Sequence, residues 1–317
     1  GIRERRVSHA PNSDLATVAG QHALAAADID PDDVDLLIVA TCTPDTVIPS
    51  TAAHVQRKIG AHNAAVFDLN AGCSGFIYSL EVATAMIRSG TYQKVLVIGS
   101  ERITWFFNWS NRDTAVLFGD GAGAVVVEPS QQESGLLYSH LGCEGDAADA
   151  LQLPNFGTAG NRFLEDYAAF KVQFDGREIF RRAVKGMTLE TEIVLDKLGL
   201  TQDDIDRVIP HQANLRIIES LAKHLSVDMS RVEVNIDKYG NTSAATIPVA
   251  LVEALEAGRI NAGDRILLAA FGAGLTRAAG LLRWGERTVP LKTSDAELPA
   301  CKQTALEIVG EAIKLTL

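Results

Sequence analysis

Cysteine is scarce in this 317-residue chain: Cys42, Cys73, Cys143 and Cys301 stand far apart, with no CxxC pair. That spacing argues against a structural zinc site, a dithiol redox motif and a disulfide-stapled scaffold, and the expected setting is reducing and cytoplasmic. No apolar run approaches the ~18 residues needed to cross a bilayer, so no membrane span is expected. Positive charge is short as well: Lys plus Arg number 29 against 40 Asp plus Glu, for a net charge of −11. Nucleic-acid binders carry the opposite balance, so no nucleic-acid partner is expected and any basic patch has to be local. Proline, at 10 residues, is too sparse for a disordered or fibrous chain. The chain opens Gly1-Ile2-Arg3-Glu4-Arg5-Arg6 without an initiator Met, so the lack of a targeting peptide carries little weight. What is present, 47% hydrophobic and 22% charged residues, is ordinary globular composition with a length suited to two lobes.

Apolar runs alternate with amphipathic stretches, which predicts α/β layering. Strands are predicted at Leu36–Ala40, Ala65–Leu69, Val95–Gly99, Ala124–Val127, Val208–Pro210, Val232–Ile236 and Arg265–Ala270. Helices are predicted at His54–Ile59, Phe76–Arg88, Glu178–Leu198, Leu215–Leu225 and Ser243–Ala257. The chain also repeats itself. Asp32-Asp33-Val34-Asp35-Leu36-Leu37-Ile38-Val39-Ala40 returns as Asp203-Asp204-Ile205-Asp206-Arg207-Val208-Ile209-Pro210-His211. A strand, a Gly-rich turn, a helix and a strand around Cys73 return around Asn241, and Gly90 and Gly258 close the two helices alike. These echoes predict two copies of one βαβ-rich unit, with Cys73 and Asn241 at equivalent places.

Three residues carry candidate chemistry. Cys73 opens a helix whose apolar positions recur at three-to-four spacing, and the helix dipole is expected to lower its pKa and make it a nucleophile. The other three cysteines read as small core residues. His211 ends an apolar strand just before a helix, where ligand sites of α/β folds gather. Asn241, in Tyr239-Gly240-Asn241-Thr242-Ser243, serves equally well as a turn and N-cap; its equivalence to Cys73 is what raises it. Pro248 is expected to kink the helix that follows. Two motifs fail: Gly119-Asp120-Gly121-Ala122-Gly123 runs into a strand rather than opening a helix, so it is no dinucleotide loop, and Gly72-Cys73-Ser74-Gly75 is no hydrolase elbow.

Asn70-Ala71-Gly72-Cys73-Ser74-Gly75-Phe76, Phe118-Gly119-Asp120-Gly121-Ala122-Gly123, His211-Gln212-Ala213-Asn214 and Gly240-Asn241-Thr242-Ser243-Ala244 together resemble the β-ketoacyl-acyl-carrier-protein synthase III family of the thiolase superfamily. The likeness runs from Gly1 to about Trp284. It implies a thiolase-like, five-layered αβαβα fold of two pseudo-repeated halves, 1–128 and 129–285, followed by an extension at 286–317. It implies a homodimer and a Cys73, His211, Asn241 triad with no metal and no cofactor beyond its thioester substrates. The implied reaction is a decarboxylative Claisen condensation of an acyl-CoA with malonyl-acyl-carrier protein. Cys73 would take the acyl group, and His211 and Asn241 would donate hydrogen bonds to the malonyl thioester oxygen. The backbone N–H groups of Cys73 and Ala273 would form a second oxyanion hole. Arg112, Asn214, Gly176, Phe180, Ala183 and Ile217 map to CoA and pantetheine contacts, and Arg216 and Lys223 to docking of the carrier protein. Arg177, Arg181 and Lys185 would extend that basic stripe.

Departures from the family pattern add expectations. A strand and helix normally precede the Gly-Ile-Arg-Glu-Arg segment, with an aromatic and a basic residue at the CoA entrance; either an upstream segment exists or the entrance is built differently. Ile48 stands where an aromatic residue commonly closes the acyl pocket across the dimer, which predicts acceptance of medium-chain primers. Thr304–Leu317, with Leu306, Val309, Ile313 and Leu315, predicts a surface-covering amphipathic helix. Two other readings compete: transfer of a Cys73-bound acyl group to a hydroxyl or amine of a specialised metabolite, and a non-catalytic partner subunit.

Overall fold

The computed structural model describes residues 1–107, 109, 111–153, 157–158 and 172–316, the side chains at 312, 315 and 316 excepted. β1 (Leu36–Ala40), β2 (Ala65–Leu69), β3 (Val95–Glu101) and β4 (Gly121–Val127) form one sheet in the order β2-β1-β3-β4. β1 lies parallel to β2 and β3, and β4 runs antiparallel along β3. β5 (Gly135–Cys143) precedes a short antiparallel ribbon of β6 (Leu151–Gln152) and β7 (Gln173–Phe174). With β8 (Arg207–Pro210), β9 (Arg265–Gly272) and β10 (Thr276–Arg283), β5 makes a second sheet in the order β5-β10-β9-β8.

Helices complete five layers. α1 (Asn12–Ala27) and α2 (Thr51–Ile59) cover the outside of the first sheet. α3 (Gly75–Arg88) crosses between the sheets, and α4 (Arg112–Ala115) is a single turn. α5 (Gly176–Leu198) and α6 (Leu215–His224) cover the outside of the second sheet. After the short α7 (Ile236–Tyr239), α8 (Thr246–Glu256) joins α3 in the central layer, and α9 (Ala305–Thr316) ends the chain. The apolar runs explain this stacking. Along a strand, side chains alternate faces, so a run with no polar residue is stable only when both faces are covered. Leu36 and Ile38 of β1 enter the central core with Phe76, Ile77 and Ile247, whereas Leu37 and Val39 enter the outer core under α1 and α2. β3 divides Val95 and Val97 from Leu96 and Ile98 in the same way. Burying each such side chain is worth roughly 1.5–3 kcal/mol, which fixes register, since a one-residue slip exchanges the two cores.

The repeat is visible element by element, with one correction. The turn-and-helix units begin at Gly72 and Ser243, 171 residues apart, and end at Arg88 and Glu256, 168 apart. The second helix is one turn shorter. Counted from the turns, Cys73 therefore corresponds to Ala244 and Asn241 to Asn70, not Cys73 to Asn241. The predicted strand Val232–Ile236 is also corrected: Val232 makes a single bridge to Val208, and the chain then turns into α7. The Gln212 side chain donates to the Glu233 carbonyl at 3.1 Å and accepts from Asn235 N at 3.0 Å, replacing the bonds of a ladder. α1, β5 and β10 are additional elements that the apolar pattern did not mark. Pro248 lies in the first turn of α8, where its missing N–H has no partner to lose, so no kink is required. Cys143 and Cys301 are exposed rather than core residues.

The C-terminal extension covers the surface by a different segment than expected. Leu291 N donates to Ala26 O at 3.0 Å, and His22 Nε2 and His9 Nε2 meet the carbonyls of Ala296 and Pro299 at 3.0 and 2.7 Å. This stretch lies along α1. α9 forms as predicted, yet its Leu306 is 84% exposed; the Leu315 side chain and Leu317 lie outside the described residues. Among the described residues no helix is long and apolar enough to cross a membrane, and no group of three or more His, Cys, Asp or Glu could hold a metal ion.

Candidate active site

Cys73 sits in the 3-10 turn Gly72–Ser74 that leads into α3, at the C-terminal end of β2. His211 follows β8 directly, and its N–H donates to Ala269 O of β9 at 2.8 Å. Asn241 is fixed by its backbone: its N–H donates to Leu117 O at 2.9 Å, and its carbonyl accepts from Gly119 N at 3.0 Å. That bridge gives the Phe118–Gly123 motif its role, because a Cβ at Gly119 would stand 2.3 Å from Tyr239 O. Asp120, buried, binds Ser8 N, Thr104 N and Thr104 Oγ1 at 2.7, 2.9 and 2.6 Å and anchors the same segment.

These residues converge. Cys73, His211 and Asn241 line one cavity of about 150 Å³, together with Gly176, Phe180, Ala183, Asn214 and Ile217. A larger, open depression of about 410 Å³ around Arg283 and Trp284 contains none of the candidate residues. The apolar wall also includes Leu117, Phe118, Ile179, Met187 and Phe271, which sequence reasoning missed. Arg112, Arg216 and Lys223 are exposed and outside that wall. Arg177 and Lys185 are exposed on α5, and Arg181 is engaged by Glu178 at 2.7 Å. Ile48 is 86% exposed and lines neither of these two cavities.

Backbone packing shapes the far side of the thiol. A Cβ at Gly272 would stand 2.5 Å from Cys73 N, and one at Gly72 would stand 2.9 Å from Ala273 N. The two segments approach as bare backbone, so Ala273 lies directly against the Gly72–Ser74 turn that carries the sulfur. Gly72 also has a φ of +55°, a conformation glycine adopts without strain.

Electrostatics overturn one expectation. Burial pushes the Cys73 thiol up to about 12, although a hydrogen bond from Ser243 and one from its own backbone N–H favour the thiolate. Desolvation outweighs the helix start here because Cys73 is only 7% exposed and faces a largely apolar wall. Burial also holds His211 down at about 3, so its imidazole is neutral throughout the physiological range. Asn241 Oδ1 accepts from Ser243 N at 2.8 Å, which leaves the Nδ2 donors for the cavity. Asn214 is arranged likewise: its Oδ1 caps α6 through Arg216 N at 2.9 Å. His211 Nδ1 lies 2.7 Å from Thr246 Oγ1, whose other neighbour is the Ser243 carbonyl at 3.0 Å. The single hydroxyl proton serves one of the two. Given to Nδ1, it leaves His211 protonated on Nε2, a donor; given to the carbonyl, it leaves Nε2 as an acceptor.

A neutral imidazole, an amide donor and a buried thiol around one narrow cavity suit thioester chemistry, and comparisons agree. The family profiles described as 3-oxoacyl-(acyl-carrier-protein (ACP)) synthase III and its C-terminal part match residues 67–145 and 195–284. Beta-ketoacyl-(acyl-carrier-protein) synthase III 2 of Vibrio cholerae is 52% identical over 314 residues, spanning 99% of this chain and 87% of that protein. The synthase III of Roseiflexus castenholzii is 50% identical over 289 residues, 90% of this chain and 87% of its own. The crystal structure of 3-oxoacyl-(acyl-carrier-protein) synthase III from Aquifex aeolicus superposes with a TM-score of 0.84 at 44% identity, covering 90% of this chain and 88% of that one. Sequence and fold both agree over most of the chain, and the chain belongs to the β-ketoacyl-acyl-carrier-protein synthase III family of condensing enzymes.

Proposed function

We propose that this chain is an acyltransferase of the 3-oxoacyl-acyl-carrier-protein synthase III type, which condenses an acyl-CoA primer with malonyl-acyl-carrier protein to begin fatty acid synthesis. The observation that carries the reading is the convergence of Cys73, His211 and Asn241, from both repeats, on one cavity. Cys73 attacks the acyl-CoA thioester, and the oxyanion forms against the backbone N–H groups of Cys73 and Ala273. CoA leaves and malonyl-acyl-carrier protein enters. Loss of carbon dioxide places an enolate oxygen between Asn241 Nδ2 and His211 Nε2. His211 acts there as the Nε2–H tautomer, with the Thr246 proton turned to Nδ1. The enolate carbon then attacks the acyl-Cys73 carbonyl.

Gly176, Phe180, Ala183, Asn214 and Ile217 hold pantetheine, Arg112 meets the nucleotide end of CoA, and Arg216 and Lys223 receive the acidic carrier. No cofactor besides the two thioesters enters this scheme. The working unit is a homodimer, for which Val47, Ile48 and Trp105, at 85, 86 and 69% exposure, provide apolar surface. In it Ile48 closes the partner's acyl pocket and admits medium-chain primers. A hydroxyl or amine acceptor is not favoured, since an amide donor beside a neutral imidazole serves an enolate and no base is placed to deprotonate an alcohol. The setting is cytoplasmic, as for enzymes that share a soluble carrier.

The test is intact-protein mass measurement with a panel of acyl-CoAs, then carbon dioxide detection on adding malonyl-acyl-carrier protein. A Cys73→Ala variant that still becomes acylated, or condensation without carbon dioxide release, overturns the reading.

A further inference from the structure

Glu101 ends β3 and is 0% exposed. Every partner it has among the described residues offers it a hydrogen. Thr41 Oγ1 and Thr43 Oγ1 approach Oε2 at 3.0 and 2.5 Å, and Ser243 Oγ approaches Oε1 at 3.0 Å. The Cys42 N–H lies 3.2 Å from both oxygens, and Cys42 Sγ lies 3.3 Å from Oε1. None of these partners is a cation. The Thr41 hydroxyl is not free to turn round: its oxygen accepts from Thr43 N and from Asn12 Nδ2, both at 3.0 Å, which leaves its proton for Glu101. Together with the Cys42 N–H this pattern stabilises an anion. Burial works the other way and raises its pKa. The group is therefore a carboxylate that readily accepts a proton. A buried anion without a counterion is costly to keep, and such groups gather at reacting centres.

Ser243 joins this carboxylate to the nucleophile. Its 3-10 turn packs on the Gly72–Ser74 turn; its hydroxyl donates to Glu101 at 3.0 Å, has Cys42 Sγ 3.9 Å away, and favours the Cys73 thiolate from the other side. We propose that Glu101, acting through the Ser243 hydroxyl, receives the Cys73 proton when the thiol is activated, which makes Ser243 a proton carrier and Glu101 a positioning residue for the acylation step. The S–H bond of Cys73 breaks as an O–H bond forms on Ser243, whose own O–H breaks as one forms on Glu101. One negative charge passes from carboxylate to sulfur, and no ion pair has to be created in the dry site. The sulfur attacks the acyl-CoA; CoA leaves as a thiolate and takes a proton from water at the cavity mouth. When condensation expels Cys73 as a thiolate, Glu101 returns its proton along the same path. His211 is a poor alternative acceptor because burial keeps it neutral.

This inference rests on the reading of Cys73 as the nucleophile, and the experiment separates the two. The rate of iodoacetamide alkylation at Cys73, resolved from Cys42 by peptide mass, is followed from neutral to alkaline pH in the wild type, Glu101→Gln and Ser243→Ala. The titratable groups facing the carboxylate are Cys42 and, through Ser243, Cys73. Both variants are expected to react about 100-fold more slowly at neutral pH, in the range of general acid–base effects, and to converge on the wild type in alkali. Acylation by acyl-CoA falls in parallel, with KM unchanged. If Glu101→Gln does not fold by circular dichroism, Ser243→Ala decides alone, since it removes one hydroxyl and keeps the carboxylate. Profiles that superimpose on the wild type overturn the relay while acylation confined to Cys73 stands; acylation that survives Cys73→Ala overturns the nucleophile itself.

Discussion

Replacing Asn241 by Ala separates the two half-reactions. The backbone of Asn241 is held by Leu117 and Gly119, at 2.9 and 3.0 Å, and neither bond involves the side chain. The side chain has one structural duty, accepting Ser243 N–H at 2.8 Å, so the fold should survive its loss at a cost of about 1 kcal/mol. What disappears is one of the two donors facing the enolate. Losing one oxyanion-hole donor costs about 100- to 1000-fold in rate, or ~3–4 kcal/mol. Decarboxylation of malonyl-acyl-carrier protein, followed by release of labelled carbon dioxide, should fall by that factor. Acylation of Cys73, followed by intact mass, should change less than about threefold, a small fraction of the loss expected at a donor-dependent step. Asn241→Asp retains the bond to Ser243 but turns the donor into an anion. At a separation of ~4 Å and an effective dielectric of ~20 the added repulsion is about 4 kcal/mol, so this variant should be slower than the Ala one. It should recover on the acid side, where a protonated carboxyl donates again. Equal losses in acylation and decarboxylation would refute the assignment, because Asn241 would then be serving the architecture of the whole site.

Other predictions follow from single contacts. His211 has a folded pKa of about 3 against an ordinary 6.5, so its contribution to stability is intact above about 6.5 and is lost as pH falls, when only the unfolded chain takes up the proton. At pH 5 the loss amounts to about 2 kcal/mol, and urea unfolding of His211→Asn should show a pH slope flatter by that amount. Gly272→Ala puts a Cβ 2.5 Å from Cys73 N, against backbone that cannot step aside; a destabilisation of about 1–3 kcal/mol is expected, with loss of acylation even where the protein stays folded. Ile48→Phe should lower the rate with octanoyl-CoA relative to acetyl-CoA, and an unchanged ratio would remove Ile48 from primer selection.

Leu36–Ala40 was legible because burial on both faces leaves an unbroken apolar run, and both it and the half-buried Ala65–Leu69 match the predicted bounds. Other elements were hidden for stated reasons. β5 reads Gly-Leu-Leu-Tyr-Ser-His-Leu-Gly-Cys, and only its Leu136 and Ser139 are buried, so neither alternation nor an apolar run marks it. α1 is rich in Ala and buries Asn12, Ser13 and Thr17, polar residues that disguise its inward face. Val232–Ile236 has the composition of a strand, and the Gln212 side chain takes the bonds a neighbouring strand would have made. That substitution depends on a residue 20 positions or more away, which no local pattern reveals.

That Cys73, His211 and Asn241 share one cavity was legible from motifs, but the state of the sulfur was not. Reading Cys73 from its helix start alone weighs one favourable dipole, typically worth 0.3–1 kcal/mol at an exposed terminus. Desolvation depends instead on Phe118, Phe271 and Met187, drawn from three separate segments, and its sign opposes the dipole. A site built this way holds its thiol protonated until substrate arrives, which protects it from oxidation, since the thiolate is the reactive form. It also needs an acceptor close by. Glu101 offered the one local signal, a charged residue at the end of the otherwise unbroken run Val95–Ser100, in a strand buried from end to end. An acid buried in such a run needs partners, and among the described residues those of Glu101 are hydroxyls, a thiol and a backbone N–H rather than a cation.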